Sequence, residues 1–284
     1  MANKLSDQEL KAKLIAKTQH ESTTTQYPTE IVPLPSKGLV YPKDHPLSSG
    51  EVELKYMTAK EEDILTNTNL LRSGRALDKL YESLIIGNGN GEPVFLKDMI
   101  TGDKSAIMLA ARILGYGNEY DIILQNSRGE DFEYTVDLNK LNAKEVDYSI
   151  YNNSRILSYT LPVSGKVVEF KLRNNQEEAL LIKALEKATT SPITTALKHT
   201  ILSIDGDTDE KFINDFVDKH MLAKDSLQLR SYINSVTPDY DLTVFVDSPE
   251  NGFSQNVQLP IDTNFFWPRV WLQAQAASRD IPSA

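Results

Sequence analysis

Residues 119–138, EYDIILQNSRGEDFEYTVDL, decide how this chain is read, because here the hydrophobic period changes from helical to alternating. DIILQ and FEYTVDL place apolar and polar side chains on opposite faces, and NSRGED between them supplies turn chemistry, so the stretch reads as a β-hairpin. A second hairpin follows, RILSYTL and KVVEFKL joined across PVSG, and the two read as the sheet of the middle region. Residues 239–261, DYDLTVFVDSPENGFSQNVQLPI, repeat the order of features of 119–138: an acid, Tyr, Asp, an apolar run, a glycine-containing turn and a returning strand. The echo predicts that these two hairpins pack as a pair, with helices inserted between them.

Outward from the hairpins the period is helical. EVELKYM (51–57) alternates as a half-buried strand, and Thr58 with Glu61 forms a capping box that starts a helix at Ala59, running to about Thr66. Helices are expected at 75–86, with Leu77, Leu80, Leu84 and Ile85 on one face, and at 103–115, opened by Asp103 and stopped by Gly115. GNGNGEP between them is a turn. Further helices are expected at 175–189, 192–204, 208–220 and 224–236. Ser6 and Glu9 cap a short helix over 6–17, and HESTTTQYPT (20–29) reads as a tether.

Two apolar segments stand apart. IVPLPSKGLVYP (31–42) carries three prolines, which exclude regular helix and central strand, so it lies extended across its own fold or a partner's groove. TNFFWP (263–268) gathers Phe265, Phe266 and Trp267 against Pro268. Those rings either plug a pocket between hairpins and helices or form an anchor for another protein. The candidate contact residues are Phe265, Phe266, Trp267 and Pro268, followed by Leu34, Pro35, Lys37 and Tyr41.

Composition limits the chemistry. The chain has 284 residues, 30 Lys and Arg against 40 Asp and Glu, and a net charge of -10. That balance argues against nucleic-acid binding by phosphate neutralisation and favours protein partners. With no cysteine, thiol nucleophiles, disulfides and cysteine-ligated metals are excluded. The charged N-terminus lacks a signal peptide's apolar centre, and no run of 18 apolar residues occurs, so a cytoplasmic protein without a membrane span is expected. Glu61, Glu62 and Asp63 sit in a first helical turn, where acids favour the dipole and face solvent. His20, His45, His199 and His220 are scattered, without metal-ligand or general-base spacing. No metal, cofactor or catalytic residue is expected.

Six strings in order, LPSKGLVYP, YMTAKEEDILTNTNLL, ALDKLYESLI, GDKSAIMLAARILGYGNEYDI, LPVSGKVVEFKL and LPIDTNFFWP, resemble the baseplate hub assembly family of T4-like tailed phages. The resemblance covers about Ile31 to Pro268. It implies a non-enzymatic protein that forms part of, or assists assembly of, the central hub of a contractile tail, through contacts with other hub proteins. It places the chain in the host cytoplasm during assembly, or in the virion baseplate. Relatives in that family carry paired cysteines at turns corresponding to QNSRGED (125–131) and DSPENG (247–252), making a zinc ribbon. This sequence has neither Cys nor His there, so any such hairpin pair is degenerate and held without metal. A baseplate cell-wall hydrolase, which needs two carboxylates across a cleft, and a transient assembly chaperone are the alternatives.

The expected fold is therefore α+β. It comprises an arm over 1–30, a helical module with small strands over 31–118, a hairpin module from 119–174 and 238–268, a helical insertion over 175–237, and a tail over 269–284.

Overall fold

The computed structural model describes residues 27–187, 191–261 and 263–267. The expected helix at 6–17, most of the tether, Pro268 and the tail lie outside them. The fold is α+β, with small antiparallel sheets interspersed with helices along the chain.

The first sheet has the order β1 (Thr29–Pro33), β2 (Glu51–Lys55), β3 (Ile85–Gly87). Pro33 can end β1 because this is an edge strand, where a missing N–H breaks no ladder. β1 reaches into the expected arm by two residues, and β3 takes the end of the expected helix 75–86. Between β2 and β3 run α1 (Ala59–Thr66), α2 (Thr68–Arg72) and α3 (Ala76–Leu84). The Thr58–Glu61 capping box forms as expected, but Glu61 is fully buried rather than solvated. Its carboxylate accepts from Thr58 N, Thr58 Oγ1, Lys55 Nζ and Ser83 Oγ. Burial alone would raise this carboxyl, and those donors outweigh it, holding it down to about 2.

The centre is α4 (Thr101–Tyr116), buried on almost every side through Ala106, Ile107, Met108, Leu109 and Ala111. Three chain segments meet at its first turn. Thr101 N donates to Arg173 O, Asn175 N donates to Met99 O, and the backbone at Pro238 approaches so closely that a Cβ on Gly102 would sit 1.7 Å from the Pro238 carbonyl oxygen. Glycine is required there by contact.

After α4 come the hairpin β4 (Glu119–Gln125) and β5 (Asp131–Asp137), then β6 (Ile156–Thr160) and β7 (Val167–Lys171). These do not join into one middle sheet. β4 and β5 pair only with each other among the described residues, whereas β7 takes β8 (Ile201–Ile204) on its far side. β8 was expected as the end of a helix over 192–204. The helix stops at Thr200 because ILSI buries Ile201 and Ile204 against the core and pairs with β7, a tertiary gain that overrides local pattern. The expected helical insertion thus donates a strand to the sheet that precedes it. Its helices are α5 (Asn175–Lys187), α6 (Pro192–Thr200), α7 (Glu210–Asp215), which continues into a π turn over Phe216–His220, and α8 (Ala223–Val236).

β9 (Thr243–Ser248) and β10 (Phe253–Gln258) form the last hairpin. It packs on β4–β5, as the echo predicts: Phe132, Val246 and Phe253 make their own apolar cluster, with the Phe132 and Phe253 rings edge to face at 5.2 Å. A larger continuous core joins the first sheet, α4, the β6–β7–β8 sheet and the aromatic end at 265–267.

Candidate interaction site

The segment LPSKGLVYP is tied down at α4. Asp103, fully buried, accepts hydrogen bonds from Ser36 N at 2.9 Å, Ser36 Oγ at 2.7 Å and Tyr41 OH at 2.7 Å, while Tyr41 OH accepts from Ile100 N at 2.9 Å. Burial pushes the Asp103 carboxyl up to about 6 in spite of these donors, and the same burial, with the neighbouring Asp103 charge, raises the Tyr41 phenol. Lys37 and Gly38 both take positive φ, at 51° and 75°, and a Cβ on Gly38 would meet Ser48 O at 2.4 Å. The turn thus presents Lys37 outward, its ammonium 4.0 Å from the centre of the Tyr148 ring, and Tyr148 OH donates to Pro35 O.

The sequence candidates therefore separate. Leu34, Pro35 and Tyr41 are buried within the chain, and Lys37 is exposed. Phe265, Phe266 and Trp267 are buried as well, at 0%, 0% and 8% exposure. Phe265 meets Tyr120 edge-on at 4.9 Å and Phe266 at 5.4 Å, Phe266 lies 6.3 Å from Tyr81, and Trp267 lies 6.0 Å from Tyr116. Of the two uses open to these rings, the structure shows the plug. Aromatic burial in the chain's own core, not presentation to solvent, is what the local packing achieves.

Beside the tethered segment lies a cleft of about 490 Å³, within the usual range for binding sites. Tyr41, Pro42 and His45 line it together with Arg155, Lys171 and Glu177. His45 stacks on Tyr41 at 5.4 Å, and its Nδ1 accepts from Leu47 N, so the neutral ring carries its proton on Nε2. Glu177 is gripped by Arg155 through both terminal guanidinium nitrogens, Nη1 and Nη2, and by Lys171 at 3.0 Å. Burial would raise the Glu177 carboxyl, but Arg155, Asn174 N and Lys171 hold it down to about 2. A carboxylate so firmly ionised is a poor proton shuttle at neutral pH, and the lining suits polar recognition better than acid–base chemistry. Arg155, Lys171 and Glu177 escaped sequence reasoning because they form no motif; only the bridging of β6, β7 and α5 unites them.

The turns over 125–131 and 247–252 lie close together and border one shallow pocket with Asn126, Ser127, Gly252 and Ser254. Asn126 accepts from Arg128 N and Glu130 N and donates to Glu130, while Ser248 donates to Glu250 and accepts from Asn251. Asn126 and Ser248 thus spend their polar groups on hydrogen bonds within their own turns. Among the described residues no cluster of three His, Cys, Asp or Glu side chains could hold a metal ion, and no helix is long and apolar enough to cross a membrane. Set against models of protein families, curated proteins and solved structures, the chain matches none.

Proposed function

We propose that this chain is a non-enzymatic protein of a contractile phage tail, forming part of or assisting assembly of the central baseplate hub through protein–protein contacts. One observation carries the reading: strings that bear the family resemblance meet around a single helix. LPSKGLVYP grips the start of α4 through Asp103, GDKSAIMLAARILGYGNEYDI is α4 with the first residues of β4, and the FFW of LPIDTNFFWP packs on Tyr116 and Tyr120 at its far end. The resemblance is thus to a packed unit and not to dispersed segments. In the same reading the stacked hairpins are a cysteine-free counterpart of a zinc ribbon, whose turns are held by Asn126 and Ser248.

Because the aromatic end is core, the partner surface belongs to exposed residues, with Lys37 and the cleft lined by Tyr41, His45 and Arg155 among the candidates. Quantitative mass spectrometry of purified virions beside infected-cell lysate tests the proposal. A fixed ratio to hub proteins in virions makes the chain a component, and abundance in lysate alone, with co-purification of hub proteins, makes it an assembly chaperone. Finding it in neither association would overturn the reading.

A further inference from the structure

Charge is distributed very unevenly along this chain. Residues 119–138 hold six carboxylates and one arginine, and residues 239–261 hold four carboxylates and no Lys or Arg, so the stacked hairpins carry nine of the ten net negative charges. Among the described residues the hairpins also keep open backbone edges: β5 pairs only with β4, and β9 only with β10.

Between β5 and β9 runs a groove of about 380 Å³. At one end the two chains are zipped together: Ala143 bridges Tyr240, Lys144 N donates to Asp239 O, and Asp241 N donates to Asn142 O. Beyond that closure they part. Tyr134, Val136, Leu141 and Val244 give the groove apolar lining, Phe245 stands 61% exposed at its border, and Asp137 and Asp241 line it with Lys140 as the single cation.

We infer that this groove receives an extended, Lys- or Arg-bearing segment of a partner protein, added as a strand along the open edge of β5 or β9. An open strand edge offers main-chain hydrogen bonds, and apolar pockets beside it take alternate side chains. The charge of the hairpin pair selects a basic segment and repels an acidic one. This narrows the protein-contact reading above and depends on it only for the partner's identity. Virion incorporation and peptide binding are measured separately, so either can fail alone.

The test uses the full chain and a fluorescein-labelled acetyl-KVKVKVKV-amide peptide, followed by anisotropy at physiological salt. Two control peptides accompany it: a Glu–Val counterpart, and a version with two valines replaced by proline, which keeps the charge but removes main-chain donors. The inference expects saturable binding of the Lys–Val peptide, at least tenfold weaker binding of the proline version, and none of the Glu–Val peptide. Phe245→Ala and Asp241→Asn should each weaken binding at least threefold. Hydrogen exchange should show the edge amides of β5 and β9 fast in the free chain and slowed by the peptide. Equal binding of the Lys–Val and proline peptides would reduce the effect to diffuse charge and overturn the inference. So would absence of binding, unchanged binding in both variants, or edges already protected in the free chain, which would mean that a second copy or another segment of this chain fills the groove.

Discussion

The two ends of α4 are held by opposite chemistry. At the first turn a buried carboxylate, Asp103, takes three hydrogen bonds from Ser36 and Tyr41; at the last turn Phe265, Phe266 and Trp267 pack rings against Tyr81, Tyr116 and Tyr120. The polar grip fixes orientation, because each donor has one acceptor geometry, and it leaves a charge cost that burial imposes. The aromatic grip supplies area and dispersion and tolerates small shifts, and its tyrosine phenols, raised by burial at Tyr81 and Tyr116, stay neutral throughout the range in which Asp103 titrates. A segment near each end of the described chain thus closes on one central helix.

The contrast can be broken from either side. Phe266→Ala should cost the most, about 3–5 kcal/mol, because a fully buried ring leaves a cavity among other rings, and urea unfolding reads that loss directly. A ring lying in a partner surface would instead leave the urea midpoint unchanged.

Next in size is the pH response of Asp103. Its folded value of about 6 exceeds the ordinary carboxyl value, so its contribution to stability is fully present below about pH 4 and lost as pH rises through 6. Comparison with Asp103→Asn isolates it: the variant's stability relative to the parent should improve by about 2 kcal/mol from pH 4 to pH 7. Glu61 and Glu177, held down to about 2, act oppositely, and their contributions are lost only as pH falls from about 4.5 toward 2. A pH-independent difference between parent and Asp103→Asn would show that the grip carries no titrating charge.

Tyr41→Phe removes one donor to Asp103 and the acceptor of Ile100 N, and should cost about 2 kcal/mol by the same unfolding measurement. Smallest is Phe245→Ala, expected to stay within about 0.5 kcal/mol because the ring is mostly exposed. A large loss there would place that ring in the core and undermine its use at the groove.

What the sequence made legible follows from the range of the interactions. The hairpin over 119–138, its stacking partner and the Thr58–Glu61 cap were readable, since alternation, turn residues and capping act within a few positions. Asp103 was readable only as the acid that opens a helix, because its donors stand 62 and 67 residues away. β8 was hidden for a related reason: ILSI continues a helical pattern, and only β7 alongside makes it a strand. The aromatic end left two uses open because burial is a property of neighbours, and Tyr81, Tyr116 and Tyr120 are far away in sequence. The cleft had no signature at all, since Arg155, Lys171 and Glu177 become one network only after β6, β7 and α5 assemble.

The most direct test of the central claim, that the aromatic end is a keystone of this chain's own fold, is the Phe266→Ala, Trp267→Ala double variant, expressed alone and examined by near-ultraviolet circular dichroism and urea unfolding. The account predicts loss of fixed tertiary structure, or a urea midpoint lowered below that of Phe266→Ala alone. A monomer with native spectrum and undiminished midpoint that has lost only its association with other proteins would contradict it.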